Sequence, residues 1–255
     1  MNGATLFFFF FARAVTLAID AGNDIIISSS TASLYDNMWT RNLALMEQNA
    51  AFKARVKDAA RRVILAKLQY FKNENHAPLY PDENTIYEHI PDKDGQKFFI
   101  EQACRSISVY KAETALPYVP AENEKVLVAG PFLSLYNEAK KRYPGVSTFH
   151  YSYELRRDES NFDEWNAARL TQIADNFDTI IITVYDRHTA GIAKRLRYMD
   201  KKVIILSIMS PVHILKDFEW ADTILCGYSY SNYSFAALFG ALNGEFIPKG
   251  KIPLE

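Results

Sequence analysis

The sequence predicts an α/β protein built on a mostly parallel sheet, and three observations carry that prediction. Five short, nearly all-apolar runs, KVLVAG at 125, VSTFHY at 146, DTIIITVY at 178, KKVIILSI near 202 and DTILCGY at 222, alternate with amphipathic stretches of helical length. Strands covered on both faces read as continuous apolar runs, and parallel neighbours need a crossover helix between them. The chain has 255 residues, 49% hydrophobic and 23% charged, enough to bury a core without disulfides or metal. Its 29 basic and 30 acidic residues leave a net charge of −1. That balance lacks the electrostatic footprint of a nucleic-acid or anionic-membrane binder, so the expected partners are neutral.

Taken in order, the chain opens on LFFFFFA from Leu6 to Ala12. This run has no basic residue before it and no small-x-small cleavage site, and it is far shorter than the roughly 20 residues a membrane span needs. It is read as the start of a buried helix that continues through Val15, Leu17 and Ile19 and stops at Gly22, a residue suited to the C-cap. DIIISSS follows, a β-branched run expected to form a strand. From Tyr35 to Lys72 the pattern is helical. Phe52, Val56, Ala60, Val63, Ile64, Leu68 and Phe71 share one predicted apolar face, and Lys53, Arg55, Lys57, Arg61 and Arg62 are read as a solvated one.

Residues 73–95 hold Pro78, Pro81, Pro91 and Gly95 with no surviving periodicity, which marks a linker between a segment at 1–72 and a domain at 96–255. Helical spacing returns over Gln96 to Lys111, with Phe99, Ile100, Ala103, Ile107 and Tyr110 on one face. Beyond it, helices are expected at about 132–142, 160–175, 189–199 and 232–243, between the five strands already named.

Cys104 and Cys226 stand far apart without metal-ligand spacing, so neither a disulfide framework nor a metal site is expected and both are read as buried apolar residues. No cofactor is implied. VLVAGPF lacks the glycine spacing of a dinucleotide loop, and PKGK lacks the spaced glycine of a P-loop; a nucleotide-binding reading needs a phosphate-gripping loop that is missing. The most suggestive cluster is Asp186, Arg187 and His188, placed where the strand at 178–185 ends. A carboxylate, a guanidinium and an imidazole there can bind sugar hydroxyls or perform acid/base work, while the plainer alternative has Asp186 or Thr189 capping the next helix with Arg187 solvated.

Ordered motifs near the C-terminus carry a family resemblance. Ser210-Pro211, Tyr228-Ser229, Ala237-Leu238, Leu242-Asn243-Gly244-Glu245, Pro248 and Gly250-Lys251-Ile252-Pro253 resemble the closing stretch of glycoside hydrolase family 3. Upstream, Ala18, Ala21-Gly22 and Asp24-Ile25-Ile26-Ile27 look like the segment leading into that family's last barrel strand. Arg62, Ile64, Leu65 and Lys67 look like its closing helix. The β-N-acetylhexosaminidase branch is the most similar.

The resemblance implies a remnant of a (β/α)8 barrel at 1–72 and a C-terminal α/β sandwich of five or six strands. It also implies chemistry on β-linked N-acetylhexosaminides or β-glucosides. A retaining mechanism needs one group to attack the anomeric carbon and another to protonate the leaving oxygen; neither maps onto a family motif here, so no catalytic residue is assigned. Asp186, Arg187 and His188 are left as candidates for the substrate rim. Met1-Asn2-Gly3-Ala4 resembles the segment that follows the family's nucleophilic Asp, which places the first residue just after that Asp. The implied partners are a carbohydrate and either the missing barrel or a second copy, covering residues 1–72. The alternative function is a carbohydrate-binding or protein-interaction module without hydrolysis.

Overall fold

A computed structural model describes residues 3–28, 33–90, 92, 94–112, 116–151, 162–213 and 217–252, with the side chains of 3–10, 89, 162, 163 and 213 left aside. Met1, Asn2, Pro253 and the side chains of Phe7 to Phe10 therefore lie outside the described set. The chain folds as two units, residues 1–86 and 87–255.

In the first unit, α1 (Gly3–Asp20) ends as its glycine demands. Gly22 has φ +106°, its N–H donates to Ile19 O at 3.1 Å, and Asn23 N–H donates back to Ala18 O at 3.0 Å. These two bonds close a Schellman turn that only a residue at ease with positive φ makes cheaply. The helical pattern at 35–72 is two helices, α2 (Asn37–Gln48) and α3 (Ala50–Lys72). They break at Asn49, whose extended backbone leaves α2 while its side chain accepts from Phe52 N–H at 3.0 Å to start α3. Ala12, Val15, Phe52 and Ala59 make a small core. An apolar cavity of about 350 Å³ lies beside it, lined by Ile19, Met38, Trp39 and Val56 among others.

Three expectations fail in this unit. DIIISSS is not a strand over its described part, Asp24–Ser28: the backbone there joins no ladder, and Ile25 and Ile27 stand 67% and 94% exposed. A β-branched run becomes a strand only when a neighbour supplies the hydrogen bonds. The apolar face of α3 is buried at Phe52, whereas Ile64, Leu68 and Phe71 toward its end are exposed. The basic residues are not simply solvated either. Arg62 grips Asp24 with Nε and Nη2 at 2.7 and 2.8 Å, and Arg55 reaches the same carboxylate at 2.8 Å. The two guanidiniums hold the Asp24 carboxyl well below its usual range and tie the start of this segment to α3.

The second unit begins near α4 (Ile86–His89) and α5 (Gly95–Ser106). The helix read over 96–111 stops early, because Ser108–Ala112 is a strand, β1, paired antiparallel with β6 (Thr223–Cys226). Between them in the chain come β2 (Val126–Gly130), α6 (Leu133–Arg142), β3 (Ser147–His150), α7 (Phe162–Ala174), β4 (Thr179–Val184), α8 (Arg187–Lys194) with a 3-10 turn to Tyr198, and β5 (Lys202–Ser207). The last helix is α9 (Asn232–Leu242). Among the described residues six strands run β1-β6-β5-β4-β2-β3, and all the pairs except β1 with β6 are parallel.

Each strand supplies both faces by alternation. Ile180, Ile182, Val203 and Ile205 point to a layer with Leu170 of α7 and Ile192 of α8. Ile181, Ile204 and Leu206 point to the other, with Leu135 of α6 and Phe235, Leu238 and Phe239 of α9. The result is the expected α/β sandwich. Cys226 is buried as anticipated, and Cys104 is only half-buried.

Candidate functional site

The strand order locates the site before any side chain is considered. From β2 the chain crosses to β3 on one side, then returns to β4 on the other. The direction of winding therefore reverses between β2 and β4, with α6 and α8 on opposite faces. A crevice outside the carboxyl ends of the strands at such a reversal is where open parallel sheets bind ligands.

Pro131 and Phe132 leave β2 at this point, and Tyr185 and Asp186 leave β4. The rings of Phe132 and Tyr185 meet edge to face, 6.0 Å between centroids. Asp186 is the N-cap of α8: its Oδ1 accepts from Thr189 N–H at 2.8 Å and from Thr189 Oγ1 at 2.7 Å. Thr189 Oγ1 in turn accepts from the N–H groups of Asp186 and Tyr185, both at 3.1 Å. The plainer of the two readings of Asp186 thus describes its geometry. Arg187 is exposed and donates from Nε to His188 Nε2 at 3.2 Å, with His188 half-buried. The three residues stand together, Asp186 as the N-cap of α8 and Arg187 and His188 in its first turn.

Buried phenols fix the floor. Tyr136 OH bridges Gly130 O and Phe149 O, tying β2 to β3, and Tyr151 OH donates to Thr183 O of β4 at 2.9 Å. Burial pushes the Tyr136 hydroxyl up to about 12 and that of Tyr151 above the usual phenol range. Both are permanent donors that hold strand ends in place rather than proton carriers.

Sequence reasoning missed the most unusual backbone of this edge. Met209 and Tyr228, just beyond the ends of neighbouring β5 and β6, have φ +65° and +56°. Left-handed backbone at non-glycine residues costs energy and concentrates where geometry serves function. Tyr228 is held there by its hydroxyl, which donates to Ser108 Oγ of β1 at 2.8 Å. Two residues on, Tyr230 stacks on Phe132 with centroids 5.5 Å apart and planes 18° apart. The signal available in the sequence was the hydroxyl-rich run Tyr228-Ser229-Tyr230-Ser231 directly after an apolar strand.

Among the described residues no group of three His, Cys, Asp or Glu side chains converges in a way that could hold a metal ion. Among them, too, no helix is long and apolar enough to cross a membrane.

No protein-family model and no curated protein matches the sequence. Solved structures do match. The chain superposes on a fungal multidomain family 3 β-N-acetylglucosaminidase with a TM-score of 0.61 and 18% identity, covering 96% of this chain and 28% of that one. For a family 3 β-N-acetylglucosaminidase from Paenibacillus the values are 0.62 and 16%, covering 92% and 46%. For a β-glucoside phosphorylase they are 0.55 and 18%, covering 96% and 45%. The chain spans less than half the length of each of these proteins. What it shares with glycoside hydrolase family 3 is the fold of part of those enzymes, including their C-terminal α/β domain.

Proposed function

We propose that this chain is the C-terminal portion of a glycoside hydrolase acting on β-linked N-acetylhexosaminides or β-glucosides, and that it does not hydrolyse them by itself. The observation that carries the reading is the coverage: nearly all of this chain, both units included, follows a partial region of the family 3 structures. Fold alone does not confer chemistry. Residues 1–72 are assigned to the last barrel unit, 73–95 to a linker and 96–255 to the α/β domain.

In this proposal Arg187 and His188 serve at the rim of the substrate pocket as donors to sugar hydroxyls, and the capped carboxylate of Asp186 fixes the turn that presents them. The rest of a barrel covers the exposed apolar residues of the first unit, such as Ile25, Ile27 and Leu68. Those same residues favour the second reading, an interaction module whose partner lies on residues 1–72.

The test is an assay of the purified chain on aryl β-N-acetylglucosaminide and aryl β-glucoside, alone and mixed with a separately expressed family 3 barrel. No turnover alone, and turnover above that of the barrel when mixed, is the expected result. Turnover by the chain alone that is lost in His188→Ala would overturn the claim of inactivity, and no gain on mixing would favour the interaction module.

A further inference from the structure

The sequence holds Asn-Gly at 2–3 and again at 243–244, the second pair closing α9. Asn-Gly is the pair in which the backbone most readily attacks its own side chain, because glycine has no Cβ to block the approach of its nitrogen to the carboxamide. In that reaction the Gly244 nitrogen bonds to Asn243 Cγ, the Cγ–Nδ2 bond breaks, and ammonia leaves with the Gly244 amide proton. Water then opens the succinimide at either carbonyl. One product is aspartate in a normal backbone, and the other is isoaspartate, with the chain running through Cγ.

The fold holds this pair in a shape from which the attack cannot start. Asn243 ends α9 with φ −85° and ψ −2°, a helical turn of the backbone that points the Gly244 nitrogen away from the Asn243 side chain. Gly244 N–H is already donated to Ala241 O at 3.2 Å, and Glu245 N–H to Gly240 O at 2.8 Å. With Gly244 at φ +78°, these two bonds make a Schellman turn. The turn is clasped from outside as well. Glu245 accepts from Arg142 Nε at 2.6 Å and from Arg142 Nη2 at 2.9 Å, and Leu242 O, one residue before the pair, accepts from Tyr118 N–H at 2.8 Å. Gly244 itself lies so close to Pro117 that a Cβ on it would stand 2.7 Å from the proline Cβ. Reaching the reactive geometry therefore means breaking the Gly244 and Glu245 bonds together, a local opening distinct from global unfolding.

We infer that Asn243-Gly244 is a latent site of spontaneous deamidation, shut by the Schellman turn at the end of α9 and opened when that turn comes undone. Its only co-reactant is water, and it does not depend on the functional reading above. The products do not restore the original turn. Either one puts a new carboxylate two residues from that of Glu245, where like charges repel. Isoaspartate also adds a carbon to the main chain just before Gly244, which shifts the two N–H groups from their acceptors. A transient opening at this end of α9 is thereby recorded in the covalent chain.

The test incubates the full chain at mildly alkaline pH, folded and in urea, and follows aspartyl and isoaspartyl forms at position 243 by peptide mapping, which separates them from those at position 2. Deamidation at Asn243 is expected in urea, and in the folded chain it should run slower by roughly tenfold or more, since only the opened turn reacts. Glu245→Ala and Arg142→Ala each remove the clasp and should raise the folded-state rate severalfold while leaving the rate in urea unchanged. Thermal unfolding establishes that each variant is folded. The inference is overturned by no deamidation at Asn243 in urea, by equal rates for the folded and unfolded parent, or by folded variants that both react no faster than the parent. The comparison of the parent with and without urea stands even where a variant does not fold.

Discussion

Asp186 and Thr189 cap each other: one carboxylate oxygen accepts both the N–H and the hydroxyl of Thr189, and that hydroxyl accepts the N–H of Asp186 in return. The residue that most resembles a catalytic acid in the sequence is therefore engaged in starting α8. Capping satisfies N–H groups at the helix start that have no partner within the helix. Asp186→Ala is predicted to lower stability by about 0.5–2 kcal/mol, measured by urea denaturation, and Asp186→Asn to lower it by less. A variant as stable as the parent would mean the cap contributes nothing and would return Asp186 to the pool of ligand-binding groups.

Glu124 predicts an acid response at the opposite end of the sheet. Burial acts to raise its pKa, but hydrogen bonds from Thr179, from Ala121 N–H and from Tyr118, with the Lys202 ammonium beside it, bring it from 4.5 down to about 2. A depressed carboxylate stabilises the folded state fully above its unfolded pKa, and that contribution is lost as pH falls through the folded one. The parent protein should lose stability between about pH 4.5 and 2, and Glu124→Gln should lose less across the same window. Parallel stability curves for the two proteins would remove Glu124 from the account.

Gly250 explains one letter of the closing motif. A Cβ at this position would lie 2.3 Å from Ser106 O and 2.6 Å from Ile107 O. The same approach lets Gly250 N–H donate to Ile107 O at 2.9 Å. The obstacles are backbone atoms that cannot rotate away, so Gly250→Ala must displace the C-terminal segment from the start of β1. A loss of about 1–3 kcal/mol is predicted, the usual range for overpacking, with Lys251→Ala as a neutral neighbour. Equal unfolding midpoints for the two variants would show that the segment yields without cost.

The central strands were legible because each is a continuous apolar run, and runs such as Thr179–Val184 are buried on both faces. β1 was not: Ile107 and Tyr110 also fit the spacing of the helix before them, and what makes Ser108–Ala112 a strand is β6, more than a hundred residues away. The Asp24–Ser28 segment erred in the other direction, since its β-branched residues say nothing about whether a neighbour is present. At the site, the Asp-x-x-Thr spacing announced the cap, so Asp186 could be weighed as a helix starter in advance. The hydroxyl-rich run at Tyr228 marked the place but not its backbone, and Met209 carried no mark at all, because a left-handed backbone at a residue other than glycine is imposed by its surroundings.

The first unit supports a final prediction about association. Ile25, Ile27, Leu43, Ile64 and Leu68 are each more than 40% exposed, and the Asp24–Ser28 segment joins no ladder. Burying such side chains contributes about 1.5–3 kcal/mol each, enough to drive association with another chain. At micromolar concentration the isolated chain should scatter light as a species larger than its 29.1 kDa. Ile27→Asp and Leu68→Asp should shift it toward that mass with little loss of fold, because both side chains are already in water. A second unit that is folded but a chain that remains monomeric with these residues unchanged would show that residues 1–72 need no partner, and would remove the support that exposed apolar surface lends to the interaction-module reading.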